Sequence, residues 1–198
     1  MKRQVRLIVL LGLYVLWGSS IVWGVSRVLN YSFSGDYPTE SSPDAVGEMA
    51  TSTADFHVLV FVHPKCPCSM ATIDNLGRLL PRCPANYAVT AIVFVPEGKD
   101  KEWATETATF AALERLPHTR IEFDTGGTRI RQWNVRRSGH VIVKAPDGSV
   151  AFSGGITLER GHAGESLGTV SMMRVLMQQS PPARAVPVFG CTFSLDSL

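Results

Sequence analysis

The segment "HVLVFVHPKCPCSMATIDNLGRLL" constrains the fold more than any other in this 198-residue chain. Its first part, His57–Pro64, is continuously apolar. That is the pattern of a strand covered on both faces, as in a mostly parallel sheet. A turn with two prolines and two cysteines follows at once. The spacing of Met70, Ile73, Leu76, Leu79 and Leu80 then predicts a helix over Cys66–Arg82. Pro67 suits the first helical position, where its missing N–H has no partner to lose. A buried strand feeding straight into an amphipathic helix needs further strands beside it and further helices over it.

The remaining pattern supplies them. Tyr87–Pro96 reads as a second buried strand, and Asp100–Leu116 as a helix presenting Trp103, Thr107, Phe110 and Leu113 on one face. Thr119–Asp124 is a short strand, and Thr125–Val135 a loop with a short helix. His140–Ile156 is a hairpin turning at Pro146-Asp147-Gly148. Gly168–Gln179 is a last helix. The order β-α-β-α-β-α-β-β-α predicts an α/β fold, a mixed sheet flanked by helices, over residues 55–180. A Pro-rich tail carrying Cys191 follows at 181–198.

Lys2, Arg3 and Arg6 precede an apolar run, Leu7–Val25. At ~1.5 Å per residue that run spans about 28 Å, close to the hydrocarbon thickness of a bilayer. Residues 1–29 are therefore expected to be an N-terminal membrane anchor. The rival, a cleaved signal peptide, has a shorter apolar core and a small-x-small site that this run lacks. The charge bias predicts a single-pass protein with a cytoplasmic N-terminus and an extracytoplasmic, periplasmic domain. Residues 30–54, rich in Ser, Pro, Asp, Glu and Thr, read as a flexible linker. The formal charge is +2, and four basic residues lie in the first 30. Beyond them acidic side chains slightly outnumber basic ones, so nothing advertises nucleic-acid binding.

At the head of the predicted helix Cys66 is the N-cap, with Pro67 and Cys68 in the first turn. Unpaired N–H groups and the positive end of the helix dipole favour thiolate there, and Lys65 adds a cation. Cys66 is the expected attacking thiolate. The chain has four cysteines. Cys83, a helix length away, is kept from Cys66 and Cys68, and two schemes remain open. One pairs Cys66 with Cys68 and Cys83 with Cys191, the second bridge being structural. The other makes Cys191 a resolving thiol for Cys66 or Cys68 and leaves Cys83 free.

A buried strand, a Cys-Pro turn opening a helix, a hairpin and a closing helix together resemble the thioredoxin-like superfamily over about Asp55–Gln179. The extra elements at Thr119–Val135 are similar to those of membrane-anchored TlpA/ResA-type proteins. The "HPxCPCS" start and the "SGG…RGH" loop resemble the RedB-like group. The resemblance implies a membrane-tethered thiol–disulfide oxidoreductase acting, without a cofactor, on a protein or a small thiol or disulfide. The sequence departs from the family in its C-x-C spacing, which shortens the ring of any Cys66–Cys68 bridge and makes it more oxidising. It also departs at "RRSGHVIV", where the family's cis-proline has no counterpart. That leaves His140 as an expected neighbour of the cysteines, with His63 and His162 as further auxiliaries.

Thiolates with imidazole suit Cu(I). The alternative is therefore a copper-binding or copper-delivery protein like the Sco type, using Cys66, Cys68 and His140 or His162, although Sco-type proteins carry C-x-x-x-C. A third class is a redox-inactive interaction module whose cysteines only staple a loop.

Overall fold

The computed structural model describes residues 2–39 and 54–193. It contains two compact units, and the chain passes from one to the other between Ser34 and Gly35. In the first, Lys2–Phe33 is one 32-residue helix, α1, none of whose residues is buried. It is long and apolar enough to cross a membrane. Ser19 and Ser20 return their hydroxyls to the carbonyls of Val15 and Leu16, which removes the cost of two polar groups in an apolar run. The helix continues four residues into the expected linker. Asp36 already belongs to the folded domain, exchanging backbone hydrogen bonds of 3.2 and 2.8 Å with Val188. Residues 40–53 of the expected linker lie outside the described residues.

The domain is built on a six-stranded sheet in the order β3-β2-β1-β4-β5-β6. β1 (Phe56–Val62), β2 (Tyr87–Val95) and β3 (Thr119–Thr125) run parallel. β4 (His140–Lys144) lies antiparallel to β1 and forms a hairpin with β5 (Val150–Gly155). With helices on both faces this is a thioredoxin-like fold. β1 sits between β2 and β4, so its side chains fill two cores in alternation. Val58, Val60 and Val62 join Ile73, Leu76, Leu113 and Met172 on one face. Leu59 and Phe61 join Ile92, Ile130, Trp133, Ile142 and Phe193 on the other. Each such side chain fully buried contributes about 1.5–3 kcal/mol. That is why a run of unbroken apolar character is required at this position, and why its end is a fixed platform for the cysteine turn.

The helices depart from expectation where local hydrogen bonding outweighs periodicity. α2 is Cys68–Leu79, with Pro67 at its N-cap, so Cys66 lies two residues before the helix. Its last turn tightens into a 3-10 segment, Leu80–Arg82. The single helix expected over Asp100–Leu116 is two, α3 (Glu102–Thr105) and α4 (Ala108–Leu113). Thr107, expected on the apolar face, breaks it by accepting the Phe110 N–H through its hydroxyl. α5 is Thr128–Gln132, and the buried Asp124 receives the N–H groups of Arg129 and Ile130 at 3.0 and 2.9 Å. α6 is Leu167–Leu176, started by a Ser166–Thr169 capping box.

The tail is a structural element. Ala185–Val186 forms β6, parallel to β5. Gly154, at φ +152°, permits the approach, because a Cβ there would stand 2.2 Å from the Val186 carbonyl oxygen. Beyond β6 the chain crosses to the segment before β4. Arg137 bridges Thr192, and Ser138 N–H donates to the Cys191 carbonyl at 2.9 Å.

Candidate functional site

Cys66, Cys68 and Cys191 come together where β1 ends, α2 begins and the tail passes over. Their three Sγ atoms all lie within 4.8 Å of one another. The Cys66 and Cys191 sulfurs are 2.8 Å apart, in a hydrogen bond. All four cysteines are free thiols.

Each is placed by identifiable forces. The chain turns out of β1 through a Cys66 N–H···O=C His63 bond of 3.0 Å. The Ser138 hydroxyl accepts from the His63 N–H at 2.7 Å and meets the Ser69 hydroxyl at 2.6 Å. Gly139 N–H donates to the Phe61 carbonyl at 2.7 Å. These bonds lock the end of β1, the start of α2 and the entry to β4 into one unit. Gly190 lets the tail lie flat against it, since a Cβ there would meet the Ser138 carbonyl oxygen at 1.6 Å. Two guanidiniums then hold the Gly190 carbonyl, Arg160 at 2.8 Å and Arg137 at 3.1 Å, the latter also paired with Asp36.

The three thiols are not equivalent. Burial by itself pushes the Cys66 thiol up. Hydrogen bonds from Cys191 and Ser69 outweigh that and hold it below the ordinary thiol value. Burial raises Cys68, and the negative charge of Cys66 raises it further against the pull of Arg160. Burial and the bond to Cys66 push Cys191 up to about 12. One thiolate therefore forms first, on Cys66, and its neighbours stay protonated to donate to it. Cys66 is only 2% exposed, whereas Cys68 and Cys191 are half-buried. From solvent, Cys68 and Cys191 are reached before the inner Cys66.

The pairing Cys83–Cys191 does not fit this geometry. Cys83 lies past the far end of α2, with its thiol 3.4 Å from Met173 Sδ. The auxiliary residues also fall differently from expectation. The Lys65 ammonium stands 4.3 Å over the Trp103 ring. His63 packs among Phe94, Trp103 and Phe193, and its Nδ1 accepts the Lys65 N–H. Burial, aided by the Lys65 charge, keeps its pKa low. His140 is sealed between Phe61 and Ser153, hydrogen-bonded to the Ser153 hydroxyl at 2.8 Å, and burial lowers it to about 4. The His162 side chain is 68% exposed and pairs with Glu159. Among the described residues no histidine joins the cysteine cluster.

Ser69, Ser138, Arg137, Arg160 and Asn75 carry the site and were not singled out from the sequence. Asn75, buried mid-helix, donates to the Ile156 carbonyl at 2.6 Å and accepts the Gly164 N–H at 2.8 Å. It thereby pins the Gly-rich loop that presents Arg160. A polar residue on the buried face of α2 was the readable signal.

No protein-family model matches the chain, and no curated protein matches it in sequence. Solved structures do. A hypothetical protein from Sinorhizobium meliloti matches with TM-score 0.56 at 16% identity, over 81% of this chain and 95% of that one. An uncharacterized conserved protein from Geobacillus kaustophilus matches with TM-score 0.54 at 15% identity, over 81% and 93%. A secreted Mycobacterium tuberculosis disulfide oxidoreductase homologous to E. coli DsbE matches with TM-score 0.47 at 15% identity, over 69% and 99%. At these identities the likeness is one of fold.

Proposed function

We propose that the protein is a membrane-tethered, extracytoplasmic thiol–disulfide oxidoreductase whose working pair is Cys66 and Cys191. The observation that carries this is the 2.8 Å contact between their sulfurs. Closing by about 0.8 Å reaches the ~2.05 Å of a disulfide bond. A Cys66–Cys68 bridge has to close a short ring across Pro67, whereas the tail approaches from outside the turn without that constraint.

In the oxidised protein a substrate thiolate attacks the half-buried Cys191 sulfur. The Cys66–Cys191 bond breaks, and Cys66 leaves as the thiolate that the Ser69 bonds favour. A low-pKa thiol is the faster leaving group. A second substrate thiol attacks the substrate sulfur of the mixed disulfide, releasing the substrate disulfide and Cys191. Two electrons and two protons pass from two substrate thiols to the cysteine pair. Run backwards, the same steps reduce a substrate disulfide. Cys68, within reach of both sulfurs, competes for the mixed disulfide and protects against a trapped adduct.

We read α1 as the anchor, with Lys2, Arg3 and Arg6 holding the N-terminus in the cytoplasm. An extracytoplasmic domain is where such a pair stays available for oxidation. Within thioredoxin-like folds, β3 and α5 ahead of the hairpin support kinship with TlpA/ResA-type proteins. The "HPxCPCS" and "SGG…RGH" segments support the RedB-like group. The substrate is a protein or small thiol. The test is exchange with glutathione disulfide and with reduced and oxidised model peptides. Wild type and Cys83→Ser should turn over alike, while Cys66→Ser and Cys191→Ser should not. Equal turnover by Cys191→Ser would refute the pair.

A further inference from the structure

We infer that the fully reduced cluster is a three-thiolate Cu(I) site, with Cys191 as the third ligand where the sequence suggested a histidine. The inference does not depend on the exchange reaction. It concerns what the same three sulfurs hold when none is oxidised.

The geometry is close to that of a coordination triangle. Metal–thiolate bonds of about 2.3 Å put three sulfurs about 4 Å apart around a planar centre. Here all three Sγ atoms lie within 4.8 Å of one another. The Cys66–Cys191 contact, at 2.8 Å, has to open. Cys191 lies on the tail, so the adjustment asks little of the sheet or of α2.

The donor set selects the ion. Among the described residues the cluster has no carboxylate and no imidazole. His63 offers its Nδ1 to the Lys65 N–H, His140 is bound to Ser153, and His162 turns to Glu159. Three sulfurs without a fourth ligand suit Cu(I), which accepts low coordination numbers and prefers soft donors. Zn(II) in a closed protein site takes four ligands, and hard cations take oxygen.

The surroundings are built to keep the triangle. Ser138 N–H fixes the Cys191 carbonyl, and Arg137 and Arg160 grip the Gly190 carbonyl beside it. Their guanidiniums stand next to a complex whose three thiolates exceed the charge of one Cu(I) by two. Cys68 and Cys191 are half-exposed and give the ion a path in, while buried Cys66 forms the floor. Loading exchanges thiol protons for one Cu(I) ion, without electron transfer. Oxidation of Cys66 and Cys191 to a disulfide removes two donors, so copper loading and disulfide exchange exclude each other.

The test uses the full-length, fully reduced protein in detergent without oxygen, titrated against Cu(I) bicinchoninate. The expected result is transfer of one Cu(I) per chain and an X-ray absorption spectrum with three sulfur neighbours and no nitrogen. Cys191→Ser should lose one sulfur neighbour and bind more weakly, and Cys83→Ser should keep all three. Prior oxidation should abolish transfer. The inference is overturned by no transfer to wild type, by a nitrogen neighbour in wild type, or by Zn(II) displacing Cu(I). The wild-type sulfur count stands even if Cys191→Ser folds poorly. None of these results bears on the exchange assay.

Discussion

The two ends of α2 hold cysteines in opposite chemical settings. Past its C-terminal end the Cys83 thiol stands 3.4 Å from the Met173 sulfur, and burial raises its pKa. Before its N-terminal end Cys66 is more deeply buried, yet its thiol is lowered, because Cys191 and Ser69 hydrogen-bond to it. Burial by itself makes a cysteine inert. Burial with donors makes it a stored thiolate. The difference lies in what the tail and the first turn of α2 deliver, since Cys83 has neither.

The comparison can be broken most completely at Cys66. Cys66→Ser should reduce thiol–disulfide exchange to the rate without protein, while Cys83→Ser should leave it unchanged. A glutathione-linked assay reads both. Next comes the donor. Cys191→Ala removes a bond to a thiolate worth about 1.5–3 kcal/mol, so the Cys66 alkylation midpoint should rise by at least about one pH unit. In the wild type that midpoint should lie below the ordinary thiol value for Cys66 and above it for Cys83. Iodoacetamide rates resolved by peptide mass spectrometry across pH give all three.

A smaller effect is expected from Gly190→Ala. The new methyl must displace the tail from the Ser138 carbonyl, at a cost of about 1–3 kcal/mol. Thermal unfolding should show the loss, and Cys66–Cys191 bridge formation should slow. Smallest of all, Met173→Leu at the inert end should cost less than about 1.5 kcal/mol in urea unfolding and leave exchange alone.

Much of this contrast is invisible along the chain. β1, β2 and the hairpin were legible because unbroken apolar runs and a Pro-Asp-Gly turn are local signals. The two-element break at Thr107 was not, since a hydroxyl on an apolar face reads as tolerated until it caps. β6 has two residues and no period. Cys191 reaches Cys66 from 125 positions away, through pairings with Val150–Gly155 and Ser138 that no spacing encodes. The hydroxyls of Ser69 and Ser138 look like any surface serines in the sequence. Two glycines, Gly154 and Gly190, were the available hints that backbone approaches closely there. The histidines misled for the opposite reason, because residue type suggests a ligand and only packing shows that His140 is walled in.

In the proposed reaction Cys191, and not Cys68 or Cys83, is the partner of Cys66. Peptide mapping of the full chain after oxidation by one equivalent of glutathione disulfide, with free thiols blocked at low pH, tests this directly. The expected linkage is Cys66–Cys191, with Cys68 and Cys83 alkylated. A dominant Cys66–Cys68 or Cys83–Cys191 linkage would contradict it.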